Sequence, residues 1–535
     1  MCVYNASIFN EVFGPIMIGQ SSSHTAGPAR IGMMCHNMLP DDPEDIEITF
    51  DTLGSFAATY EGQGSDYGFI GGIMGIPIRD KKIKRSLITA NEKGIQHRFI
   101  IKNLGCDLHP NFAHIKITTE SGYVLDVEAA STGGGMFEIT KYQGYGINFK
   151  GDCHEFVIFS KEPENVVLEV QKLLNTFKIG YRIHIVPGQE GKPALVNLKT
   201  DWMDDKEFQK ALKAAVGADD SLYFRPILPV IKKMNCKVPF TGATDAYAYA
   251  KKNKIDELWR LAAAYESSIS GTSIDDVLKM TSEILSIMRS SAYKAIAGGY
   301  RHRGFLPPQG IEMNRKISSK SVKQVDLGLL NRASLWASSI MEYNICNGLI
   351  VAAPTGGSSG VLPGAVVSVG EELGKTDLEI EKALLVGGLI GVFIDHRATF
   401  AAEVAACQAE IGSASAMAAA SVVQLLGGSV KQGFAAAALA LQNLLGLVCD
   451  PVAGVGNVPC VARNASGAAT ALVSANMALA GFDPCIPLDE VIAAMQSIGD
   501  MLAPELKCTG RGGLCITPTG KRIEESIDLT MAFDD

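Results

Sequence analysis

Charged residues are scarce in this chain, and no basic excess exists among them. They make up 20% of the 535 residues, and the net charge is −9 at neutral pH. A basic face supplies much of the affinity for nucleic acid and for acidic membranes, so neither partner is expected. Long apolar runs are also lacking. The longest, Ala383–Ile394 and Gly433–Val448, are shorter than a membrane span and predict buried helices.

The start of the chain lacks a basic region followed by an apolar stretch, so no signal peptide is expected. Twelve cysteines in a chain of this length do not form a disulfide scaffold. We therefore expect a cytoplasmic, reducing location, where thiolates remain available for metal. The 47% content of hydrophobic residues is compatible with a large buried core, and the length predicts about two to four domains.

The pattern of the sequence predicts a multidomain protein. Short β-type runs and glycine turns in residues 1–150 predict an α+β N-terminal domain. Residues 152–228 follow a βαββαβ order that fits a ligand-binding regulatory module of the ACT type. Residues 229–254 are interpreted as a linker or docking segment. In residues 255–535 nearly every segment is helical and several are apolar on all sides, which predicts an all-α C-terminal domain that carries catalysis.

Three cysteines lie in glycine- and alanine-rich surroundings with little charge nearby: Cys407, Cys449 and Cys460. Three thiolates are one fewer than the four that usually hold an iron–sulfur cluster, so one iron of such a cluster would keep an open position. An open metal position suits Lewis-acid catalysis. The alternative is three buried free thiols, which are common in protein cores.

Two polar loops in the N-terminal part are candidate binding sites. The segment SSSHTAGP contains Ser22, Ser23, His24 and Thr25 ahead of a predicted helix, where free N–H groups suit an anion such as a carboxylate. An ordinary helix cap with a surface histidine is the alternative. The segment STGGG, with Ser131, Gly133 and Gly134, either supplies backbone donors or forms a tight hairpin.

Two further loops lie in the helical part. The segment APTGGSSG offers the hydroxyls of Thr355 and Ser358 and the backbone of Gly356, and it has no lysine in the spacing of a phosphate loop. A simple helix–helix turn is the alternative. The segment CTGRGGLC places Cys508 and Cys515 at a spacing that matches no standard zinc pattern, so both are interpreted as structural or as lining a pocket.

His396 and Arg397 follow an apolar helix about ten residues before Cys407. Arg397 could bind a substrate carboxylate through two parallel hydrogen bonds. A structural ion pair of Arg397 with Glu403 or Asp395 is the alternative.

Taken together, these motifs resemble the iron–sulfur-dependent L-serine dehydratase (L-serine ammonia-lyase) family. SSSHTAGP, HPN (109–111) and STGGG are similar to its β-type domain. APTGGSSGVLPG, ACQAEIGSASAMAAA, LGLVCDPVAGVGNVPCVARNA and TGRGGLCITPTG are similar to its α-type domain. The resemblance covers nearly the whole chain, as if the two subunits were fused with an ACT domain between them.

The resemblance implies a [4Fe–4S] cluster held by Cys407, Cys449 and Cys460, with one open iron and without pyridoxal phosphate. It implies β-elimination of a small hydroxy amino acid, L-serine by default, to a 2-oxo acid and ammonia. His24, Asp66 and His396 are candidate acid or base groups. A small-molecule effector at the ACT-like segment and a homodimer are further expectations.

The sequence departs from the family at three positions. In GQGSD (62–66), Gln63 replaces a family histidine. His396 and Arg397 lie ahead of the first ligand cysteine, in HRATFAAEVAAC. Cys508 replaces a family glutamate. These changes leave other hypotheses open. One is the same chemistry on an acid with an extra anionic group. Others are a C–S lyase acting on cysteine and a non-catalytic amino-acid sensor.

Overall fold

The fold is described from a computed structural model that covers residues 5–527, apart from 106–107, 189–190, 202–205, 218–220 and 303. Within these residues the chain is a multidomain α/β protein. It has a six-stranded mixed sheet, a four-stranded antiparallel sheet, a two-stranded pair and a large set of helices.

The six-stranded sheet lies in the N-terminal part. In sheet order its strands are Gln96–Lys102, Pro43–Asp51, Phe112–Thr119, Val124–Gly133, Met136–Tyr142 and Tyr145–Phe149. Only the first two are parallel to each other. The helices of this part are Gly27–Met38, Ser55–Thr59, Ser65–Ile73 and Ser86–Glu92. Alternating apolar residues such as Ile46, Ile48 and Phe50 form the core beneath them, because successive strand side chains point to opposite faces.

The second sheet shows the βαββαβ order of elements. Its strands His154–Ser160, Tyr181–Val186, Ala194–Thr200 and Ser221–Phe224 alternate with the helices Pro163–Phe177 and Lys206–Val216. The first strand lies between the fourth and the third, and every pairing is antiparallel. One face packs Phe156, Val196 and Leu198 against both helices, so the other face is turned toward the rest of the molecule.

The C-terminal part is built mainly from helices. They are Ala243–Asn253, Leu258–Ser270, Ile274–Ala297, Gln309–Ser318, Leu329–Ile345, Ser368–Glu372, Asp377–Asp395, Ala402–Cys407, Ser413–Leu425, Val430–Gln442, Cys460–Leu479, Leu488–Met501 and Pro518–Ser526. Asp377–Asp395 and Ser413–Leu425 are buried on almost all sides. This explains their lack of an amphipathic stripe.

The first described residues belong to the helical core and not to the N-terminal sheet. Ile8, Val12 and Phe13 are buried among the helices. Two glycines of helix Asp377–Asp395 make room for them: a Cβ on Gly388 would lie 2.4 Å from Ile8 and one on Gly391 2.2 Å from Val12. The chain then forms strand Ile16–Ile18, which pairs with strand Leu349–Val351. The expectation of an all-α C-terminal domain is wrong at this strand.

The segment 229–254 packs closely against its neighbours. It contains helix Ala243–Asn253, and Val230, Phe240 and Ala246 are buried in the helical core. The sequence predicts a linker or a docking segment over residues 229–254, and these buried contacts are those of a docking segment. Across the described ranges, no helix combines the length and the apolar character needed to cross a bilayer.

Candidate functional site

The three predicted ligand cysteines come together from two helix ends and one loop. Cys407 ends helix Ala402–Cys407, Cys460 begins helix Cys460–Leu479, and Cys449 lies in the loop before that helix. The Sγ atoms of Cys407 and Cys449 lie within 4.8 Å of each other, and the thiols of Cys449 and Cys460 both act on the pKa of the Cys407 thiol. The backbone before Cys407 is kinked, with Ala406 at φ 61°. This kink directs the Cys407 thiol toward its partners.

Arg463 lies one helical turn after Cys460 and supports the thiol group electrostatically. Its guanidinium donates to Cys407 Sγ at 3.5 Å, to Val448 O at 2.8 Å and to Asp450 Oδ1 at 2.8 Å. The neighbouring Cys449 and Cys460 thiols, aided by Arg463, lower the pKa of the Cys407 thiol well below its ordinary value. In turn, the Cys407 thiol raises the pKa values of the Cys449 and Cys460 thiols.

A fourth thiol, that of Cys508, joins this group. The backbone N–H of Cys508 donates to Cys449 O at 3.0 Å, and after Cys407 its thiol contributes to raising the pKa of the Cys449 thiol. The Gln63 amide donates to Cys508 Sγ at 3.7 Å. Cys515 lies apart and donates to Pro451 O at 3.1 Å, and burial raises its pKa to about 11. Of the two late cysteines, only Cys508 lies beside the ligand trio.

A cavity of about 40 Å³ borders these thiols and is closed by both halves of the chain. It is lined by Gln20, Ser21, Ser23, Gln63, Met341, Gly357, Ala402, Glu403, Glu410, Cys449, Pro451, Gly454, Gly456, Cys460 and Cys508. Two acceptor oxygens at this cavity, Glu403 Oε2 and Gln20 Oε1, are buried without a hydrogen-bond partner among the described residues. Buried polar atoms normally have partners, so these two mark a place for a donor group.

The loop Ser22–Ala26 forms a π-helical turn that presents polar groups to the cavity. Ser23 Oγ donates to Glu403 Oε1 at 2.5 Å and lies 3.2 Å from His24 Nδ1. His24 Nδ1 lies 3.1 Å from the same oxygen of Glu403, and its Nε2 is 3.0 Å from Ser55 Oγ. Burial raises the pKa of Glu403, but hydrogen bonds from His24 and Ser23 outweigh it and lower the value to about 2. Glu403 is therefore an ionised carboxylate in a buried site.

The loop after strand Leu349–Val351 faces this turn from the helical half. Gly356 N–H donates to Ser22 Oγ at 3.1 Å, and Thr355 Oγ1 and Ser358 Oγ are 3.0 Å apart. Asn464 fixes the loop by donating to Gly357 O at 2.7 Å and accepting from Gly360 N–H at 2.9 Å. The predicted polar loops of the two halves thus meet directly.

Glu410 lies on the other side of the cavity, in the π-helical turn Gln408–Gly412. One of its oxygens and the Sγ atoms of Cys407 and Cys449 lie within 4.8 Å of one another. Burial, followed by the negative charge at Cys407, raises the pKa of Glu410 well above its ordinary value. Two π turns, at Ser22–Ala26 and here, therefore border the same cavity. Such turns are often found at functional sites.

Comparison with known proteins identifies the chain. The family described as "Serine dehydratase alpha chain" matches residues 232–515, and "Serine dehydratase beta chain" matches residues 7–107. The chain belongs to the serine dehydratase family. Its β-type region precedes its α-type region in one polypeptide, which confirms the resemblance described above and the fused order.

Relatives in this enzyme family match either one half or the whole chain. A probable L-serine dehydratase alpha chain of Bacillus subtilis is 39% identical over 264 residues, which cover 49% of this chain and 87% of that protein. The corresponding beta chain is 35% identical over 196 residues, 36% of this chain and 87% of that protein. An L-serine dehydratase of Streptomyces coelicolor is 27% identical over 521 residues, 94% and 97% of the two chains.

The remaining predicted residues of this serine dehydratase family member lie around or away from the cavity. Thr25 Oγ1 donates to Gln63 O at 2.6 Å, and Ser131 Oγ donates to Ser23 O at 2.7 Å. The turn after Ser131 is tightly packed, since a Cβ on Gly133 would lie 2.7 Å from Ala401 N. Gly134 has φ 59° and borders Pro354 of the facing loop. These residues support the polar turn and do not line the cavity.

Two of the candidate acid or base groups lie outside the cavity. Asp66 is buried at the start of helix Ser65–Ile73, where burial raises its pKa to about 7. His396 Nε2 lies 3.1 Å from the Tyr265 hydroxyl and 3.3 Å from Ala6 N. Burial lowers the pKa of His396 to about 4, so its ring is neutral, and Nε2 accepts from Ala6 N–H.

Arg397 also points away from the cavity. It donates to Thr241 O and lies 3.8 Å from Asp489. This ion partner is neither of the two acids that the sequence analysis considered.

The sequence analysis missed several residues of the site, above all Glu403 and Glu410, together with Arg463 and Asn464. One signal was available: Glu403, Glu410 and Arg463 are charged residues within otherwise apolar stretches around the ligand cysteines. A charged residue in such a stretch is seldom buried unless it is paired or has a function.

Proposed function

We propose that this chain is a [4Fe–4S]-dependent L-serine dehydratase that converts L-serine to pyruvate and ammonia. The observation that carries the proposal is the meeting of Cys407, Cys449 and Cys460 beside a buried, ionised Glu403 with one unpartnered oxygen. The family membership and the full-length relatives named L-serine dehydratase support the substrate.

The donor set fits the cofactor that the family resemblance implies. Soft thiolates favour iron–sulfur clusters or zinc over hard cations. Cys407, Cys449 and Cys460 would hold the cluster, and Arg463 would offset its negative charge. When bound, such a cluster with one iron free of protein ligands supplies a Lewis acid that assists departure of the substrate hydroxyl.

The substrate ammonium group is assigned to Glu403 and Gln20. An ammonium offers three donors and no acceptor, and Glu403 Oε2 and Gln20 Oε1 are unpartnered acceptors at the cavity. The Gln20 amide nitrogen donates to Gly62 O, so its oxygen is the atom left to accept from a substrate donor. The carboxylate of the substrate is assigned to the hydroxyls of Ser21 and Ser23, which line the same space.

The α-proton is assigned to the unit formed by Ser23, His24 and Glu403. Of the predicted acid or base groups, His24 is the one whose direct partners, Ser23 and Glu403, line the cavity. Loss of the α-proton and the β-hydroxyl releases water and leaves an enamine, which tautomerises to an imine. A second water hydrolyses the imine to pyruvate and ammonia, so no net water is consumed.

The ACT-like segment is proposed as the site of a regulatory ligand. The free face of its sheet borders a cavity of about 590 Å³. The lining contains five cationic side chains and the carboxylate of Asp152. Lys199 and Lys232 are paired with Glu155, Glu11 and Asp152. The charge that favours an anionic effector therefore comes chiefly from Arg182 and Lys233. A homodimer and a cytoplasmic location remain predictions.

The other hypotheses stay predictions without support from the site. Arg397 motivated a substrate with an extra anionic group, and it lies outside the cavity. Two hypotheses remain, desulfidation of cysteine and non-catalytic sensing. Measurement of the products distinguishes both from serine dehydration. Sulfide release would favour the first, and tight amino-acid binding without turnover the second.

The experiment is anaerobic purification and reconstitution, followed by measurement of iron, acid-labile sulfide, pyruvate and ammonia with L-serine. The variant Cys449→Ser is expected to lose both the cluster and turnover. Cys485→Ser is the matched control because Cys485 is exposed and far from the trio in sequence. A Cys449→Ser protein with full iron content and full serine turnover would refute the proposal.

A further inference from the structure

A buried arginine without a carboxylate partner lies outside the dehydratase site. Arg30 belongs to helix Gly27–Met38 and is 7% exposed. Its Nη1 donates to Gly135 O at 2.8 Å and contacts Met136 Sδ at 3.6 Å. Within the described ranges, no acid forms an ion pair with it, and its Nε and Nη2 have no hydrogen-bond acceptor.

Arg30 forms part of the wall of a cavity of about 370 Å³, which is within the range of small-molecule sites. Segments from both halves of the chain line it: Phe9–Ile16, the first turns of helix Gly27–Met38, Pro77–Arg79, Pro226–Pro229 and helix Ile274–Ala297. Most lining side chains are apolar, among them Phe9, Phe13, Met33, Ile78, Leu228, Met280 and Ile284.

The nearest acids are committed to other cations. Glu11 accepts from Lys232 Nζ at 2.6 Å and from Ser7 N at 2.6 Å. Glu283 pairs with Arg79 at 3.1 Å, and both of these side chains are about half exposed. Burial lowers the pKa of Arg30 to about 10, although the charge of Glu11 partly opposes this shift. A buried charge of this kind is costly unless an anion pairs with it.

We propose that this cavity is a binding site for a monocarboxylate with a branched apolar body, whose carboxylate pairs with Arg30. The guanidinium Nε and Nη2 can donate to the two oxygens of a carboxylate in a bidentate pair. The apolar walls take the hydrocarbon part, and they suit neither L-serine nor pyruvate, which have little apolar surface. The ligand is therefore an effector chemically distinct from the substrate of the proposed function.

The position of Arg30 connects this cavity to the dehydratase site. Its helix follows the turn Ser22–Ala26 directly. Its acceptor Gly135 ends the turn that begins at Ser131, whose hydroxyl donates to Ser23 O. A carboxylate competing for the Arg30 donors would act on both segments.

The test is titration calorimetry on the full-length, anaerobically reconstituted protein with 4-methylpentanoate and its neutral amide, 4-methylpentanamide. The acid is expected to bind, and the amide to bind more than about tenfold more weakly because it lacks the charge that Arg30 recognises. Binding is measured without turnover, so the result does not depend on the proposed dehydratase activity.

Two variants locate the site. Met280→Trp fills the cavity and keeps Arg30, so it is expected to abolish binding of the acid with little change in melting temperature. Arg79→Met removes an exposed charge at the cavity mouth and is expected to keep binding within about threefold, since exposed pairs contribute little. Arg30→Met should lose binding of the acid. Equal binding of acid and amide, unchanged binding by Met280→Trp, or no binding of the acid would each overturn the proposal.

Discussion

Replacement of Glu403 by glutamine tests the substrate assignment most directly. The change keeps the shape of the side chain and removes a charge that is 1% exposed. Glutamine can still accept from Ser23 through its remaining oxygen, but it presents an N–H₂ where Glu403 Oε2 now lies unpartnered. The ammonium of L-serine would then meet a donor in place of a carboxylate.

The size of the effect follows from the buried setting. A hydrogen bond to a charged group contributes about 1.5–3 kcal/mol, and about 1.4 kcal/mol corresponds to a factor of ten. We therefore expect kcat/KM for L-serine to fall about ten- to a hundredfold in Glu403→Gln. Because the pKa of Glu403 is about 2, the carboxylate is ionised at every working pH. The loss should be the same at neutral and mildly alkaline pH.

The assay is pyruvate formation, normalised to the iron content of each preparation. Glu61→Gln is the matched control, since Glu61 is exposed and accepts a hydrogen bond from the Tyr60 hydroxyl. Glu403→Gln with full iron and unchanged kcat/KM would show that the carboxylate does not bind substrate. Loss of iron in parallel with activity would show a structural role instead.

Further predictions concern the cluster and the pH dependence of stability. Cys508→Ser should keep its iron content, unlike Cys449→Ser, if three thiols suffice; loss of iron would make Cys508 a fourth ligand. Arg463→Met should reconstitute less well at neutral pH and recover partly at alkaline pH, because Arg463 adds to the effect of Cys449 and Cys460 in lowering the pKa of the Cys407 thiol; iron uptake against pH measures this. The raised pKa of Asp66, about 7, means that the folded state holds a proton that the unfolded chain releases near pH 4. The contribution of Asp66 to stability should then fall between about pH 4 and about pH 7, and Asp66→Asn should reduce the slope of wild-type stability against pH in denaturant titrations; an unchanged slope would contradict the buried setting of Asp66.

The cluster cysteines could be found from the sequence because their local motif is distinctive. Cys407 lies in an alanine-rich segment and Cys449 and Cys460 in a glycine-containing one, and the structure brings all three together. Glu403 could not be found in this way, since a single carboxylate in an apolar stretch has no periodic signal. Its role is visible only when Ser23 and His24 are seen on the opposite side.

His396 and Arg397 are residues that the sequence placed at the site and the structure places outside it. Their position near the first ligand cysteine in sequence suggested a place at the substrate. The end of helix Asp377–Asp395 instead turns them toward Tyr265 and Asp489, which belong to distant helices. Direction after a helix end is decided by tertiary packing, which the local sequence does not encode.

The pairing of Ile16–Ile18 with Leu349–Val351 was equally hidden, because strand partners far apart in sequence share no local pattern. The order of elements in residues 154–224 was accessible, since each element there is short, regular and bounded by turn residues.

The hydrogen bond between Gly356 N and Ser22 Oγ joins residues 334 positions apart, one from each half of the chain. In the Bacillus relatives the corresponding regions are named as separate alpha and beta chains. In this chain the two loops are tethered, so their encounter is intramolecular and has an effective concentration set by the polypeptide. The polar turn and the thiol loops thus meet in fixed one-to-one stoichiometry, and dilution of the protein should not separate them.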